Sequence, residues 1–169
     1  MSTKSTSPSL VFFLCFVAGL CEGYDLQSAG IAAPKFAPVF DPAHLGWVFS
    51  ASTFGLFIGA LIGGRLADRI GRRAVLITSM LVFGLFSTGT AMVTDVNSLL
   101  LMRFLTGLGL GGAMPNLIAL TAEAGKRERA AMRVTMLSSA MPFGGFLVGA
   151  LMVAHSDIDW KSVFWIGGL

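Results

Sequence analysis

Three ionisable residues lie inside long apolar stretches of this sequence, namely Glu22, Asp25 and Arg103. A charge buried in lipid costs about 2.5–3.5 kcal/mol even on gentle insertion scales, so such residues usually face a cavity or one another. The spacing of three residues places Glu22 and Asp25 on the same face of a helix. These residue types predict a polar cavity inside a membrane, where acids that exchange a proton lie close to a fixed positive charge.

The depths of the acidic and basic residues along their helices can be compared. Counted from Leu10 at the inner side, Asp25 lies about 22 Å along its helix, roughly 8 Å from the outer edge of the hydrocarbon. Counted from Ser98 at the outer side, Arg103 lies about 8 Å deep by the same rise per residue. We therefore expect Arg103 to face Asp25 or Glu22 across a polar cavity. The alternatives are a structural ion pair that orients two helices and an arginine that extends to the interface.

Paired carboxylates at helical spacing could also perform general acid–base catalysis in a membrane hydrolase. No nucleophile motif and no metal-ligand spacing accompanies them in the sequence. Cys15 and Cys21 lie within one apolar run, and His44 and His155 are isolated at the ends of predicted spans. We therefore expect no enzyme activity, no metal site and no bound cofactor.

The elements that must position these residues are long apolar segments separated by short turns. Each complete segment has roughly 20 residues or more, the length a helix needs to cross about 30 Å of hydrocarbon. Since the backbone in a lipid bilayer must satisfy its own hydrogen bonds, these segments are predicted to be helices. The predicted spans cover residues 10–33, 45–66, 74–93, 99–121, 134–154 and 160–169.

The composition predicts an all-α integral membrane protein. Apolar residues make up 54% of the 169 residues and charged residues 12%, whereas a soluble domain carries about 25% charge. This excludes a soluble domain, a disordered tail and a nucleic-acid-binding protein. Because the sixth span stops in mid-membrane, we interpret the chain as an N-terminal fragment with five complete transmembrane helices and a truncated sixth. A cleaved signal peptide is disfavoured for the first span, whose apolar sequence continues to Ala33.

The basic residues predict the orientation of the chain in the membrane. With residues 1–9 as a cytoplasmic tail, nine basic residues fall on the cytoplasmic side, while aspartates dominate the outer turns. The nine are Lys4, Arg65, Arg69, Arg72, Arg73, Lys126, Arg127, Arg129 and Arg133. This asymmetry predicts a multi-pass protein with a cytoplasmic N-terminus, and it explains the basic character of the chain without a nucleic-acid partner.

Glycines recur at short spacing in the second and fourth predicted helices. A stripe of small residues lets two membrane helices approach each other closely. The stripes consist of Gly55, Gly59 and Gly63 in the second helix and Gly107, Gly109 and Gly111 in the fourth. Pro115 and Pro142 are predicted to interrupt the fourth and fifth helices, as broken helices often do at transporter substrate sites, and a plain structural kink is the alternative.

Two segments of the chain resemble motifs of the major facilitator superfamily of transporters. GRLADRIGRR resembles that superfamily's loop motif between helices 2 and 3, and RFLTGLGLGG resembles its helix 4 motif, which is associated with proton coupling. The loop motif comprises Gly64, Asp68, Arg69, Gly71, Arg72 and Arg73. The resemblance implies the N-terminal six-helix half of that fold, with the missing C-terminal half as its partner. The helix 5 stretch MPFGG matches the antiporter motif only in part, which favours symport.

The first span carries the most specific resemblance. The stretch CEGYDLQSAGIAA resembles the signature of the aromatic acid:proton symporters, with Glu22 where aspartate is usual. It is most similar to the 3-(3-hydroxyphenyl)propionate transporters of that family. The resemblance implies a plasma-membrane importer of small aromatic carboxylates that works by proton symport and alternating access. The alternatives are a facilitator for a sugar, a drug or another organic anion, and a membrane subunit that transports nothing.

The resemblance also implies roles for individual residues. Glu22 and Asp25 would serve proton coupling or substrate binding, and Arg103 would adjust the proton affinity of the acids or anchor a carboxylate substrate. The loop motif would form a cytoplasmic gate against the missing half, and Glu123 and Arg129 would join its charge network. For the loop, simple anchoring by positive charge on the cytoplasmic side is the alternative.

Overall fold

The computed structural model describes residues 7–40, 42–155 and 157–168, which form α-helices joined by short turns. The helices are α1 Pro8–Phe40, α2 Leu45–Ile70, α3 Arg72–Thr90, α4 Val96–Glu123, α5 Ala130–Ala154 and α6 Trp160–Gly168. By length and composition, α1 to α5 can each cross a membrane. The predicted all-helical architecture is therefore confirmed. Most of the predicted tail 1–9, with Lys4, lies outside the described residues, as does Leu169.

Prolines affect the helices less than the sequence predicts. Helix α1 does not end at Ala33 but continues through Pro34 and Pro38. Helices α4 and α5 run unbroken through Pro115 and Pro142, so the prediction that these prolines interrupt them is wrong. A proline removes one backbone hydrogen bond, whereas a helix that ended in lipid would leave several polar groups unpaired. Continuation is therefore the less costly outcome.

Helices α2 and α4 touch backbone to backbone along their glycine stripes. A Cβ atom at Gly55 would overlap the carbonyl oxygen of Phe104, and one at Gly59 would overlap that of Leu108. The glycines that make equally close backbone contacts across this interface are Gly63, Gly107 and Gly111. Only residues without a side chain permit this separation, so the stripes determine the distance between the two helices.

Two further helix pairs approach through glycine. Gly109, on the other side of α4, faces α3, where an added Cβ would lie 2.6 Å from the backbone nitrogen of Phe83. On α1, a Cβ at Gly23 would overlap the backbone of Met141 in α5. The short α6 packs against both α1 and α3. Helix α4 thus lies between α2 and α3, and it also contacts α1, which brings the charged residues of α1 and α4 within reach of each other.

The outer surface of the bundle is apolar. Phe57, Leu85 and Phe146 are each more than half exposed, although large apolar side chains are normally buried in soluble proteins. Continuous exposure of this kind suits contact with lipid chains. The arrangement agrees with a multi-pass membrane protein whose polar residues turn inward.

The turns after α2 and α4 lie together at one end of the bundle. We call this the basic end, and it carries Arg65, Arg69, Arg72, Arg73, Lys126, Arg127, Arg129 and Arg133. The α2–α3 turn passes through Gly71 at φ +91°, a conformation that residues with a Cβ rarely adopt. At the opposite end, the Asp95 side chain caps α4 by accepting a hydrogen bond from the Ser98 backbone N–H at 2.9 Å.

Candidate functional site

Arg103 of α4 forms an ion pair with Asp25 of α1 in the interior of the bundle. The Arg103 Nη1 atom lies 3.2 Å from Asp25 Oδ2, and both side chains are almost completely buried. Arg103 therefore contacts an acid of the first helix, as expected, and that acid is Asp25. Opposite charges buried together stabilise each other only when their remaining polar atoms are also satisfied, so the other contacts of this pair matter.

The remaining polar atoms of the pair bind hydroxyl groups of α3 and α4. Arg103 Nε and Nη2 donate to Thr90 Oγ1 at 3.2 and 2.9 Å, and Nη2 also donates to Thr106 Oγ1 at 3.3 Å. Ser87 Oγ donates to Asp25 Oδ1. Each guanidinium nitrogen and each carboxylate oxygen thus has a partner. A pair bound in this way has a defined geometry and little freedom to move.

The sequence analysis did not identify Ser87, Thr90 or Phe164, the α6 residue whose ring covers the Arg103 guanidinium. The Arg103 guanidinium carbon lies 4.7 Å from the centre of the Phe164 ring, within cation–π distance. Ser87 and Thr90 lie three positions apart in α3 and therefore share one helix face. That spacing of Ser87 and Thr90 was the signal that could have identified them, whereas nothing local marks Phe164.

Glu22 lies one turn before Asp25 on α1 but has a different environment. Its side chain is 2% exposed, and its Oε1 atom has no hydrogen-bond partner among residues 7–40, 42–155 and 157–168. It forms no ion pair with Arg103, whose guanidinium is engaged by Asp25. The two acids therefore share a helix face without sharing a role in the charge pair.

A small cavity of about 90 Å³ opens beside the ion pair, between α1, α2 and α4. Its polar lining comes from the ion pair and three hydroxyl residues: Asp25, Arg103, Ser52, Thr53 and Thr106. Its apolar lining includes Leu26, Phe49, Leu56 and Leu110. Sites for drug-sized ligands occupy about 300–1,000 Å³. The cavity beside the ion pair is therefore too small to enclose a drug-sized ligand.

A larger cavity, of about 510 Å³, lies elsewhere, between α1, α3 and the end of α6. Its lining is apolar apart from Arg73 at the basic end and the two cysteines Cys15 and Cys21. It touches neither Asp25 nor Arg103. The buried acidic and basic side chains lie at the smaller cavity, so the smaller cavity is the candidate site.

An apolar cluster covers the ion pair on the side away from the basic end. It consists of Ala29, Ala32, Phe40, Val48, Ala91, Val93, Leu99, Trp160 and Phe164. Ala29 follows Asp25 along α1, and Leu99 precedes Arg103 along α4, so both lie towards the end that carries Asp95. In this conformation the charged groups are therefore separated from that end of the bundle by packed side chains.

The loop motif at the basic end forms one contact to α4. Arg72 pairs with Glu123, and both side chains are substantially exposed. Asp68 is exposed and makes no hydrogen bond or ion pair with any residue that the structure describes. Arg129, expected to join this network, is likewise exposed and makes no side-chain contact of that kind within the described ranges. The structure thus brings Glu123 to the loop motif but leaves Arg129 apart from it.

Arg133 of α5 has a structural role that the sequence reading did not identify. Its guanidinium donates to the carbonyl oxygens of Thr121 at 3.0 Å, Ala122 at 2.9 Å and Lys126 at 3.2 Å. The last carbonyl groups of a helix have no intrahelical partner. Arg133 supplies donors to them, so it ties the end of α4 to the start of α5.

Comparisons with known proteins place this arrangement in a family. Residues 11–169 match the family model described as the Major Facilitator Superfamily. The chain is 47% identical to the 3-(3-hydroxy-phenyl)propionate transporter of Escherichia coli and covers 44% of its length. It is 40% identical to the 4-hydroxybenzoate transporter PcaK of Pseudomonas putida and covers 36% of that protein.

The fold comparison agrees with the sequence comparison. The inward-open xylose transporter XylE of Escherichia coli superposes with a TM-score of 0.86 at 19% identity, over 95% of this chain and 45% of that one. The chain therefore spans less than half the length of the relatives it matches. Family model, relatives and fold agree with the resemblance read from the loop and helix motifs, and the chain belongs to the Major Facilitator Superfamily.

Proposed function

We propose that the protein containing this chain is a proton-driven importer of small aromatic carboxylates, similar to 3-(3-hydroxyphenyl)propionate. The observation that carries this proposal is the buried Arg103–Asp25 pair beside a small polar cavity. A planar guanidinium can bind both oxygens of a substrate carboxylate. The aromatic acid transporters among the relatives support this substrate class.

The substrate site would form between two halves of the transporter. The cavity beside Arg103 is too small for an aromatic ring with its side chain, so the C-terminal half would supply the opposite wall. Transporters of this kind bind substrate near the middle of the membrane and rock their halves around it. Bound substrate and proton would cross together, with the proton carried on an acid of α1.

The loop motif at the basic end would act as a gate between the halves. Asp68 supports this reading because its exposed carboxylate has no partner within the described part of the chain, although arginines surround it in sequence. A contact from Asp68 to the C-terminal half would close the basic end. Anchoring by positive charge alone does not require an aspartate at this position.

The basic end would face the cytoplasm of the cell. Basic residues collect in the cytoplasmic loops of membrane proteins, and eight of them lie at this end of the bundle. The N-terminus of α1 lies at the same end, since Pro8 lies close to Gly125. We therefore place the protein in the plasma membrane with a cytoplasmic N-terminus and the proton, without a bound cofactor, as its coupling ion.

The test is uptake of labelled hydroxyphenylpropionate by cells that express the full-length protein. We expect uptake to depend on the proton gradient and to be inhibited by other aromatic acids. Asp25→Asn should abolish uptake, because Arg103 loses its buried ionic partner. The control, Asp95→Asn, makes the same chemical change at an exposed position and should transport normally. Normal uptake by Asp25→Asn would contradict the proposal. Inhibition by sugars or drugs, or no uptake of any solute, would favour another facilitator or a non-transporting subunit.

A further inference from the structure

The hydroxyl groups that line the small cavity beside the ion pair differ in how far the protein already engages them. Thr106 Oγ1 accepts from Arg103 and donates to a carbonyl oxygen of its own helix at 2.8 Å. Thr53 Oγ1 also donates to a carbonyl oxygen of its own helix, at 3.0 Å. Ser52 Oγ lies 3.4 Å from the Val48 carbonyl oxygen, beyond the usual distance for a hydroxyl donor. Ser52 therefore has the most hydrogen-bonding capacity left for a ligand.

Arg103 has one donor left for a ligand. Its Nε and Nη2 groups donate to Thr90 and Thr106, and one N–H of Nη1 donates to Asp25. The second N–H of Nη1 has no acceptor among the residues that the structure describes. A carboxylate binds a guanidinium most strongly through two parallel N–H bonds, which one free N–H does not provide. One free donor is sufficient for a hydroxyl group.

The charges beside the cavity also favour a neutral group over a carboxylate. Asp25 lines the same cavity, and the positive charge of Arg103 is already paired with it at 3.2 Å. A substrate carboxylate in the cavity would meet a like charge, and it has no proton to donate to Ser52. A hydroxyl group is neutral and both donates and accepts. It can accept from the free N–H of Arg103 and donate to the oxygen of Ser52.

The size of the cavity limits how much of an aromatic acid can enter it. Its volume is about 90 Å³, whereas a cavity that holds benzene has about 150 Å³. An aromatic ring can therefore enter only in part, with one edge first. The apolar lining, which includes Leu26, Phe49 and Leu110, suits the carbon atoms of that edge. The rest of the molecule then lies outside the cavity.

We infer that this cavity binds the ring hydroxyl of the substrate and that Ser52 determines the preference for hydroxylated aromatic acids. The substrate carboxylate then points away from Arg103, towards the C-terminal half. This inference rests on the proposed function and adds the orientation of the substrate to it. Arg103 contributes one N–H to the ring hydroxyl and stays bound to Asp25 and Thr90. Binding of both carboxylate oxygens by Arg103 would instead require the guanidinium to leave Thr90.

Competition between two analogues tests the role of Ser52. Vesicles that contain the full-length protein take up labelled 3-(3-hydroxyphenyl)propionate, and the competitors are the unlabelled compound and 3-phenylpropionate, which lacks the ring hydroxyl. In the wild type we expect the hydroxylated compound to bind about tenfold more tightly, since it forms two more hydrogen bonds. Ser52→Ala should reduce this ratio to less than about threefold, because one of those bonds is lost. Ser50→Ala, the same change at an exposed position of α2, should keep the wild-type ratio.

The possible results separate the inference from its alternatives. Equal competition by the two compounds in the wild type would overturn it. An equal loss of affinity for both compounds in Ser52→Ala would also overturn it, and is the result expected if the cavity binds the carboxylate. Absence of proton-driven uptake by the wild type would instead contradict the proposed function, so the two failures are distinguishable.

A third analogue covers the case in which Ser52→Ala does not fold, because it requires only the wild type. The methyl ether 3-(3-methoxyphenyl)propionate replaces the ring hydroxyl with a larger group that cannot donate. We expect it to compete less well even than 3-phenylpropionate, since a cavity of about 90 Å³ does not accommodate the added methyl group beside the ring edge. Competition by the methyl ether equal to that of the hydroxylated compound would place the ring hydroxyl outside the cavity and overturn the inference.

Discussion

The ring of Phe164 lies over the guanidinium of Arg103, with 4.7 Å between the ring centre and the guanidinium carbon. Phe164 also belongs to the apolar cluster that separates the ion pair from the end of the bundle near Asp95. One side chain of α6 therefore contacts both the charged site and its apolar cover. Any movement of α6 away from α4 would therefore expose the Arg103 guanidinium and open the apolar cluster at the same time.

The contact between Phe164 and Arg103 can be tested by a change that keeps an apolar side chain. Phe164→Leu removes the ring, and with it a buried cation–π contact worth about 2 kcal/mol and part of the packing. We expect the thermal unfolding midpoint of the full-length protein in detergent to fall. Phe143→Leu is the matched control, since Phe143 is 52% exposed on the outer surface. An equal effect of the two changes would contradict a special role for the ring.

Thr90 should contribute to the stability of the ion pair through its hydroxyl group. Thr90→Val keeps the shape of the side chain but removes the oxygen that accepts from Arg103 Nε and Nη2. Nη2 keeps its bond to Thr106, whereas Nε loses its acceptor. A buried unpaired donor costs roughly 1–3 kcal/mol, so we expect a lower free energy of unfolding and, under the proposed function, weaker substrate binding. Thr135→Val is the control, because the Thr135 hydroxyl is exposed and bonds only within its own helix. No difference between these variants would show that Arg103 finds another acceptor.

The α2–α4 contact should not tolerate a side chain at Gly59. Its Cβ would overlap the carbonyl oxygen of Leu108, and overpacking of this kind costs about 1–3 kcal/mol. We expect Gly59→Ala to lower thermal stability in detergent. The same change at Gly30, where an added Cβ would meet no atom within 4 Å beyond its own turn of helix, should leave stability unchanged or raise it. A stable Gly59→Ala protein would mean that the two helices can separate at little cost.

Arg133 should protect the end of α4 from local opening. Arg133→Gln removes most of the donors that bind the carbonyl groups of Thr121, Ala122 and Lys126. We expect faster amide hydrogen exchange in the last turn of α4 and in the turn that follows it. Arg129→Gln removes the same charge from an exposed side chain and should leave exchange unchanged. Equal acceleration in both variants would point to net charge as the cause.

The cap at Asp95 should make stability depend on pH in acid. Hydrogen bonds from the Ser98 side chain and backbone lower the pKa of Asp95 below its ordinary value of 3.8. Because the folded-state pKa is the lower one, the cap contributes fully above the ordinary pKa, and its contribution is lost as the pH falls through the folded value. Asn also caps helices, so Asp95→Asn should remove this loss. Unfolding midpoints measured at neutral and acid pH test the prediction, and an unchanged acid dependence would contradict it.

Several features of this protein were predictable from sequence because they depend on one helix at a time. Lipid forces an apolar segment to satisfy its own backbone, so the helices follow from hydropathy and length. The constant rise of a helix places Asp25 and Arg103 at the same depth before any packing is known. The stripe of Gly55 and Gly59 likewise predicted a close helix contact, although the partner helix could not be read from it.

The tertiary structure alone decided which groups meet. The rotation of each helix about its axis is determined by its neighbours, so sequence could not choose between Glu22 and Asp25 as the partner of Arg103. The hydroxyl of Thr90 and the ring of Phe164 come from other helices, and only packing brings them to the guanidinium. The same reason explains why Arg133, and not Arg129, binds the end of α4. Depth along a helix is a local property, whereas the direction in which a side chain points into the bundle depends on every helix packed around it.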